Sequence, residues 1–229
     1  MTWVWDNLPL IGGLTLDHLR HSLIPLAIGF VISVPLGWVA WRYRLVRSGV
    51  VTITGLLYTI PSIALLILVP SATGWYTFLD ETNLIVALTI YAIAILVRSV
   101  SDGLDSVDPG IRQASTAMGY GAFRRFWAVE LPLAGPVVLA GLRVTAASTI
   151  SLATVGILVG ITNLGYLFTN GLQRRIIPEV LAGVVAVVVL ALVIDLLLVL
   201  LGRLLMPWTR ATRAPSARRS RAVVVGAGA

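Results

Sequence analysis

The sequence contains no lysine and no cysteine, and only 12% of its 229 residues are charged. All seventeen basic residues are therefore arginines. A Walker A phosphate loop and a Schiff-base enzyme both need a lysine, so both classes are excluded. Without cysteine the chain forms neither disulfides nor thiolate metal sites. His18 and His21 lack the supporting acids of a metal site, so we expect no metal, no cofactor and no catalytic cluster.

What the sequence has in abundance is apolar surface. Hydrophobic residues make up 58% of the chain and the mean hydropathy is +0.94. Soluble domains carry about 45–50% apolar residues, and a helix needs roughly 20 apolar residues to cross the hydrocarbon core of a bilayer. We therefore predict an all-α integral membrane protein with about five transmembrane helices. The predicted spans are Ser22–Trp41, Val50–Pro70, Leu84–Val100, Pro136–Gly160 and Pro178–Leu204.

Three regions follow from these spans. Residues 1–21 are interrupted by two acids and contain two tryptophans, which favours a segment at the periplasmic membrane interface. Residues 22–204 form the predicted transmembrane domain. Residues 205–229 mix Arg, Pro, Ser, Ala and Gly, which is typical of a disordered tail. Such an arginine-rich tail could contact anionic lipid.

The placement of arginines predicts the orientation. If the N-terminus lies outside the cytoplasm, only Arg20, Arg174 and Arg175 of the seventeen arginines lie outside. The other fourteen then fall in inner loops, at inner span ends or in the tail. Cytoplasmic segments carry an excess of Lys and Arg, so we predict an N-out, C-in protein of the cell membrane. Topology thus accounts for the net charge of +7, and nucleic acid is not an expected partner.

Polar side chains inside two spans indicate surfaces that do not face lipid. In span two, Pro61 removes a backbone hydrogen bond beside Tyr58 and Ser62, and this group either lines a path or forms a packing kink. Span four carries a dense row of hydroxyl groups, which suits path lining and close helix packing equally. The row comprises Thr145, Ser148, Thr149 and Ser151.

One acid lies well inside a span. Asp195 precedes Arg203 by eight residues, and Arg143 follows Pro136 by seven, so both lie at a similar depth of roughly 10–12 Å from the inner ends of their spans. Ionisable groups at such depths are costly and usually paired. We predict an ion pair between Arg143 and Asp195, with a proton-relay carboxylate as the alternative.

The predicted cytoplasmic loop, residues 101–135, carries helix signals. Asp108 and Pro109 are a typical N-cap and first-turn proline, and Gly119 is placed to end the helix. The short helix offers small side chains and Met118, which suits docking into an irregular cleft of a partner. An interfacial helix that packs only on the bilayer is the alternative.

The loop resembles a known motif. The pattern Q-A-S-x-x-x-G, nine residues, V-x-L-P from Gln113 to Pro132 is similar to the EAA loop of binding-protein-dependent ABC permeases. The resemblance implies a type I ABC importer permease fold in which the loop forms a coupling helix against an ATP-binding subunit. Gln113 stands where that motif has Glu, and Ser115 where it has a second Ala. The coupling residues that the resemblance implies are Gln113, Ala114, Ser115, Met118, Gly119 and Tyr120.

Flanking strings, among them YTIPSIALL at 58–66 and VELPLAGPVVLAGLR at 129–143, resemble the osmoprotectant branch of that family. The resemblance implies a non-enzymatic permease subunit of an ATP-driven importer for glycine betaine, choline, carnitine or a similar solute, and it favours a pore-lining role for span two. The implied partners are an ATP-binding subunit that holds ATP and Mg, a second permease subunit and an extracytoplasmic substrate-binding protein. An amino-acid importer permease and a self-sufficient ion-coupled transporter are the alternatives.

Overall fold

The computed structural model describes residues 2–74 and 79–209, without the side chains of Thr2 and Arg44. This part of the chain is almost entirely helical and contains no strand. Residues 210–229 of the predicted tail lie outside it. The α-helices are α1 Thr2–Asp6, α2 Leu8–Arg42, α3 Arg44–Thr59, α4 Ser62–Thr73, α5 Glu81–Asp105, α6 Pro109–Ala117, α7 Ala122–Arg125, α8 Leu131–Ala153, α9 Gly165–Gln173 and α10 Ile177–Leu205. A π-helical turn, Phe126–Glu130, precedes α8, and a 3₁₀ turn, Thr154–Val159, follows it.

By length and composition, four helices among the described residues can cross a membrane, and a bent pair makes five. The four are α2, α5, the continuous run Ala122–Val159 that contains α8, and α10. This agrees with the predicted all-α membrane protein. The span assigned to Val50–Pro70 is not one straight helix, however, because α3 and α4 meet at an angle of 109°.

The first span begins earlier than predicted. The helix α2 runs from Leu8 without a break at Ser22, so most of residues 1–21 are its first turns and not a separate segment. Leu14, His18 and His21 are buried at helical spacing, while Asp17 is exposed. Asp17 therefore lies on the exposed side of α2, and Asp6 is the exposed last residue of α1, so neither acid is buried. At 1.5 Å per residue, α2 is about 52 Å long, more than the hydrocarbon core requires.

The helix α5 lies at the centre of the bundle. Of its most apolar stretch 56% is buried inside the chain, against 11% for α10. Close packing of α5 on α2 depends on glycine: a Cβ at Gly29 would lie 2.6 Å from Ala92 Cβ, and one at Gly37 would lie 2.6 Å from Val100 Cβ. Small residues let helix backbones approach closely in this way. On its other side α5 packs against α8.

Two prolines explain two irregularities of the long helices. Pro132 cannot donate the backbone bond of a regular α-helix, and the turn before it is π-helical, with the Leu131 N–H donating to the Phe126 carbonyl. Pro70 likewise leaves the Leu66 carbonyl without its intrahelical donor, and the buried Asn83 amide nitrogen donates to that oxygen at 2.8 Å. Helix α5 thus compensates for a missing bond in α4.

The start of α5 has a regular cap. The Thr82 backbone N–H donates to Asp80 Oδ1 at 2.8 Å, which lowers the pKa of the Asp80 carboxyl. A capping acid at this end also complements the helix dipole. The predicted start of this span at Leu84 is therefore three residues late.

Candidate functional site

The predicted coupling helix is formed as α6. Asp108 Oδ1 accepts from the Gly110 N–H at 2.6 Å, so the predicted N-cap is present. The helix ends at Ala117, and Gly119 beyond its cap has a φ of +83°, in the left-handed region that favours glycine. The Tyr120 N–H then donates back to the Ser115 carbonyl at 3.1 Å. Local sequence chemistry therefore accounts for both ends of this helix.

Four of the six implied coupling residues are exposed, two on α6 and two directly after its end. Gln113, Ala114 and Gly119 are exposed, and Met118 is 69% exposed. Tyr120 is half-buried and its ring lies 4.8 Å from the Arg124 guanidinium carbon. The exposed residues are the members of the set that an external partner could touch.

Ser115 is the exception. Its side chain is 1% exposed and its hydroxyl donates to the Arg112 carbonyl at 2.9 Å. Ser115 therefore faces the rest of the chain and does not belong to the outer surface on which the motif resemblance placed it. The physical reason is helical geometry, because Ser115 points away from the face formed by Gln113 and Ala114.

Sequence reasoning missed the buried acid at the end of the loop. Glu130 is 1% exposed, and its Oε1 accepts from Arg125 Nε at 2.8 Å. Arg112 Nε lies 3.9 Å from the same oxygen. The available signal was an acid one residue before the Leu-Pro of the motif, in a loop with several arginines and no other acid after Asp108.

The break between α3 and α4 is stabilised by the neighbouring helix. Pro61 has no N–H, and the Ile60 carbonyl at the break accepts from the Tyr91 hydroxyl of α5. Tyr58 is 50% exposed and its ring stands edge-on to Tyr91, with the centroids 6.1 Å apart. The sequence located this break, but its size and its hydrogen-bond partner depend on α5.

The hydroxyl row of α8 divides into two groups. Thr145 and Thr149 are buried, and each donates to a carbonyl of its own helix, at 2.8 and 3.0 Å. Ser148 and Ser151 instead line an open groove of about 480 Å³ together with Tyr58. The structure therefore separates two buried packing residues from two residues that border a groove.

The groove joins two segments that are far apart in the sequence. Besides Tyr58, Ser148 and Ser151 it is lined by apolar side chains of α8, and it is open along one side. Pro61 and Ser62 are not among its lining residues. The groove is thus an open surface with three hydroxyl groups on an otherwise apolar wall.

Arg143 and Asp195 lie together between α8 and α10. Arg143 Nε donates to Asp195 Oδ1 at 2.6 Å, and its Nη2 donates to Oδ2 at 2.8 Å. This is a bidentate, fork-like geometry. The two side chains are 42% and 39% exposed within the single chain. The pair therefore lies on the surface of the bundle, and its bidentate bonds satisfy two charges within apolar spans.

The histidines have structural partners at the start of the bundle. His18 Nε2 lies 2.9 Å from the Ile150 carbonyl, and His21 Nε2 lies 2.8 Å from Glu81 Oε1. Arg20 Nη1 lies 3.4 Å from the same Glu81 oxygen. No cluster of three metal-binding side chains occurs within residues 2–74 and 79–209.

The segment after α8 is built around Asn163. Its amide nitrogen donates to the Ala153 carbonyl at 2.8 Å, and its Oδ1 accepts from the Gly165 N–H at 2.7 Å. Gly165 is required here because a Cβ would collide with the Thr154 carbonyl. The segment 161–167 is therefore an ordered turn, closed by the side chain of Asn163.

The chain is similar to known membrane components of transport systems. The family of binding-protein-dependent transport system inner membrane components matches residues 29–211. The osmoprotectant import permease protein OsmW of Salmonella typhimurium is 31% identical over 197 residues, which are 86% of this chain and 92% of that protein. The choline transport system permease protein OpuBB of Bacillus subtilis is 31% identical over 193 residues, 84% of this chain and 87% of that protein.

A solved structure shares the fold. A chain of the inward-facing MetNI methionine ABC transporter superimposes with a TM-score of 0.75 and covers 87% of this chain and 98% of its own length. The sequence identity is 24%. This likeness supports the predicted importer-permease architecture and carries no information on cargo.

Proposed function

This chain belongs to the family of binding-protein-dependent transport system inner membrane components, and from that membership we propose that it is the permease subunit of an ATP-driven importer of osmoprotectants. Glycine betaine, choline and carnitine are the expected cargoes. The observation that carries this proposal is the match with OsmW, which extends over nearly the whole of both chains. The match with the choline permease OpuBB supports the same class of quaternary ammonium solutes.

The energy source must be another polypeptide. The chain lacks the lysine of a Walker A loop, so ATP and Mg are bound by a partner ATP-binding subunit and the permease itself is not an enzyme. The exposed face of α6 suits that partner, because Gln113, Ala114 and Met118 are free to enter a cleft. A flexible thioether at the tip adapts to an irregular surface.

The translocation path would be shared with a second permease subunit. The groove lined by Tyr58, Ser148 and Ser151 is open on one side, as expected for half of a path. A second subunit, identical or paralogous, would supply the opposite wall. Pro61 and Ser62 contribute the bend that places Tyr58 at the groove, and Thr145 and Thr149 hold α8 beside it.

The remaining partner is an extracytoplasmic substrate-binding protein. With the N-terminus outside, the turn at 161–167 and the helix α9 face that protein. Asn163 keeps the turn ordered through two hydrogen bonds. Lipid surrounds the rest of the bundle, including the long exposed face of α10.

The proposal is tested by purifying the chain in mild detergent with its neighbouring subunits and reconstituting the complex in liposomes. We expect an ATP-binding subunit to co-purify, and binding-protein-dependent uptake of radiolabelled glycine betaine to require internal ATP. Excess choline or carnitine should compete, and excess methionine should not. Uptake driven by an ion gradient without ATP would point to a self-sufficient transporter, and competition by amino acids alone would point to an amino-acid importer.

A further inference from the structure

Glu130 is a buried carboxylate in a cytoplasmic loop that is otherwise largely exposed. Acids are almost never fully buried unless they are paired, and this one is 1% exposed. It stands at the last position of the π-helical turn Phe126–Glu130, directly before α8. Short π-helical turns are often found at functional sites. Water does not solvate the Glu130 carboxylate, so groups within the chain must compensate its charge.

Two arginines from different elements converge on this carboxylate. Arg125 of α7 donates from Nε to Oε1 at 2.8 Å, and Arg112 of α6 has its Nε 3.9 Å from the same oxygen. Arg125 also donates from Nη1 to Thr116 Oγ1 at 2.7 Å, which returns the network to α6. One acid thus ties α6 and α7 to the beginning of α8.

Arg112 extends the network to two further spans. Its guanidinium carbon lies 4.7 Å from the Trp41 ring centroid, near the end of α2. Its Nη2 donates a hydrogen bond to the Leu104 carbonyl, near the end of α5. A cation over an indole ring is a favourable contact. Through the side chain of Arg112, helix α6 therefore contacts the ends of α2 and α5 as well as Glu130, which directly precedes α8.

We propose that Glu130 is a positioning residue that makes α6 move as one body with α8, so that motion of the ATP-binding subunit reaches the translocation path. This inference rests on the proposed function for the identity of the moving partner. The short helix α6 has nine residues, and such helices are marginal on their own. Without the Glu130 network, α6 would move relative to the spans, and the work of ATP hydrolysis would not reach them.

The geometry favours a role for charge as well as packing. A buried ion pair is screened by salt much less than an exposed one, and removal of one partner leaves an uncompensated charge. The Arg125 contact is a full hydrogen bond, whereas Arg112 at 3.9 Å is held by electrostatic attraction without one. We therefore expect the substitution of Glu130 to have a larger effect than that of Arg112.

The first test compares Glu130→Gln with Glu130→Asp and the control Asp102→Asn in the reconstituted complex. Asp102→Asn also removes one carboxylate charge, but from an exposed cluster with Arg47 and Arg98. We expect Glu130→Gln to lower glycine betaine uptake per ATP hydrolysed about tenfold or more, which corresponds to about 1.4 kcal/mol. Basal ATP hydrolysis and partner binding should persist, Glu130→Asp should restore part of the ratio, and Asp102→Asn should leave it unchanged.

An assembled Glu130→Gln complex with an unchanged uptake-to-hydrolysis ratio would overturn the proposal. If Glu130→Gln fails to assemble, Arg125→Lys takes its place, because it removes the Nε–Oε1 hydrogen bond to Glu130 but keeps the positive charge and leaves the contacts of Arg112 with Trp41 and Leu104 intact. That variant should assemble and show a smaller fall in the ratio. Failure of both variants to assemble would also overturn the proposal, since the network would then serve folding alone.

A second measurement does not depend on the cargo. Because the chain has no cysteine, a spin label at Ala117→Cys, on the exposed surface of α6, is the single labelled site. In the full chain in liposomes, Glu130→Gln should increase the mobile component of the spectrum, and Asp102→Asn should not. An unchanged spectrum counts against the network, whereas absence of uptake by the wild-type complex counts against the proposed function only.

Discussion

At the scale of single residues, the spans are stabilised by polar side chains that replace missing backbone donors. Asn83 donates to the carbonyl that Pro70 leaves open, and Asn163 donates to the Ala153 carbonyl at the end of α8. A buried polar group without a partner is costly, and most of all in lipid, where water cannot replace the bond. These two buried asparagines therefore stabilise the fold by satisfying carbonyl groups of α4 and α8.

The Asn83 bond leads to a quantitative prediction. Asn83→Leu should lower the stability of the chain by about 1–3 kcal/mol, because the Leu66 carbonyl loses its donor while it stays buried. In a Pro70→Ala background the residue at position 70 supplies the donor itself, so the same substitution should cost less. Thermal unfolding of the four proteins in detergent measures this coupling. Equal losses in both backgrounds would contradict the assignment.

At the scale of helices, the contact of α2 with α5 decides the shape of the bundle. Gly29 and Gly37 lie on the face of α2 that touches α5, and both leave room for the side chain opposite. Hydrophobic burial contributes little to helix association within lipid, so close van der Waals contact has to supply much of it. Glycines that face open space, such as Gly49, make no such close helix contact.

A pair of glycine substitutions tests this packing. Gly37→Ala places a Cβ 2.6 Å from Val100 Cβ, and overpacking of this kind should destabilise the chain by about 1–3 kcal/mol. Gly49→Ala in α3 is the matched control, because nothing lies within 4 Å of its added Cβ. Alanine is the better helix former by about 1 kcal/mol, so the control should be neutral or stabilising. Thermal melting should therefore give a lower Tm for Gly37→Ala and an equal or higher Tm for Gly49→Ala, and a Gly37→Ala protein as stable as wild type would refute the close approach.

At the scale of the whole molecule, the described part of the chain leaves several surfaces uncovered. Its groove is open on one side, its helix α10 is buried along only 11% of its most apolar stretch, and its Arg143–Asp195 pair lies at the bundle surface. Lipid can cover the apolar side chains, whereas the hydroxyl groups of the groove and the charges of the ion pair favour a polar partner. These features agree with an assembly in which the chain supplies one part.

The orientation of that assembly can be measured because the protein lacks cysteine. Leu79→Cys lies in the exposed connection before α5, and Ala117→Cys lies on α6. With the N-terminus outside, a membrane-impermeant maleimide should label Leu79→Cys in intact cells and Ala117→Cys only after permeabilisation. The wild-type chain is the unlabelled control. The reverse labelling pattern would show that the positive-inside reading of the arginines is wrong.

The sequence by itself determined the properties that depend on stretches of about twenty residues. Composition and apolar run length identified a helical membrane protein and the approximate places of its spans, and local cap residues accounted for α6. The break at Pro61 and the similar depths of Arg143 and Asp195 were also readable, since each follows from one residue type at a known distance along a helix. None of these inferences required knowledge of which helix packs on which.

Only the tertiary structure decided how single side chains are divided between the interior and the surface. The burial of Glu130 and Ser115, the separation of Thr145 from Ser148, and the 109° bend of span two all depend on neighbours from other helices. The contact of His18 with the Ile150 carbonyl joins residues 132 positions apart. Periodicity within one helix shows which residues share a face, but the partner of that face is set by packing that no local pattern encodes.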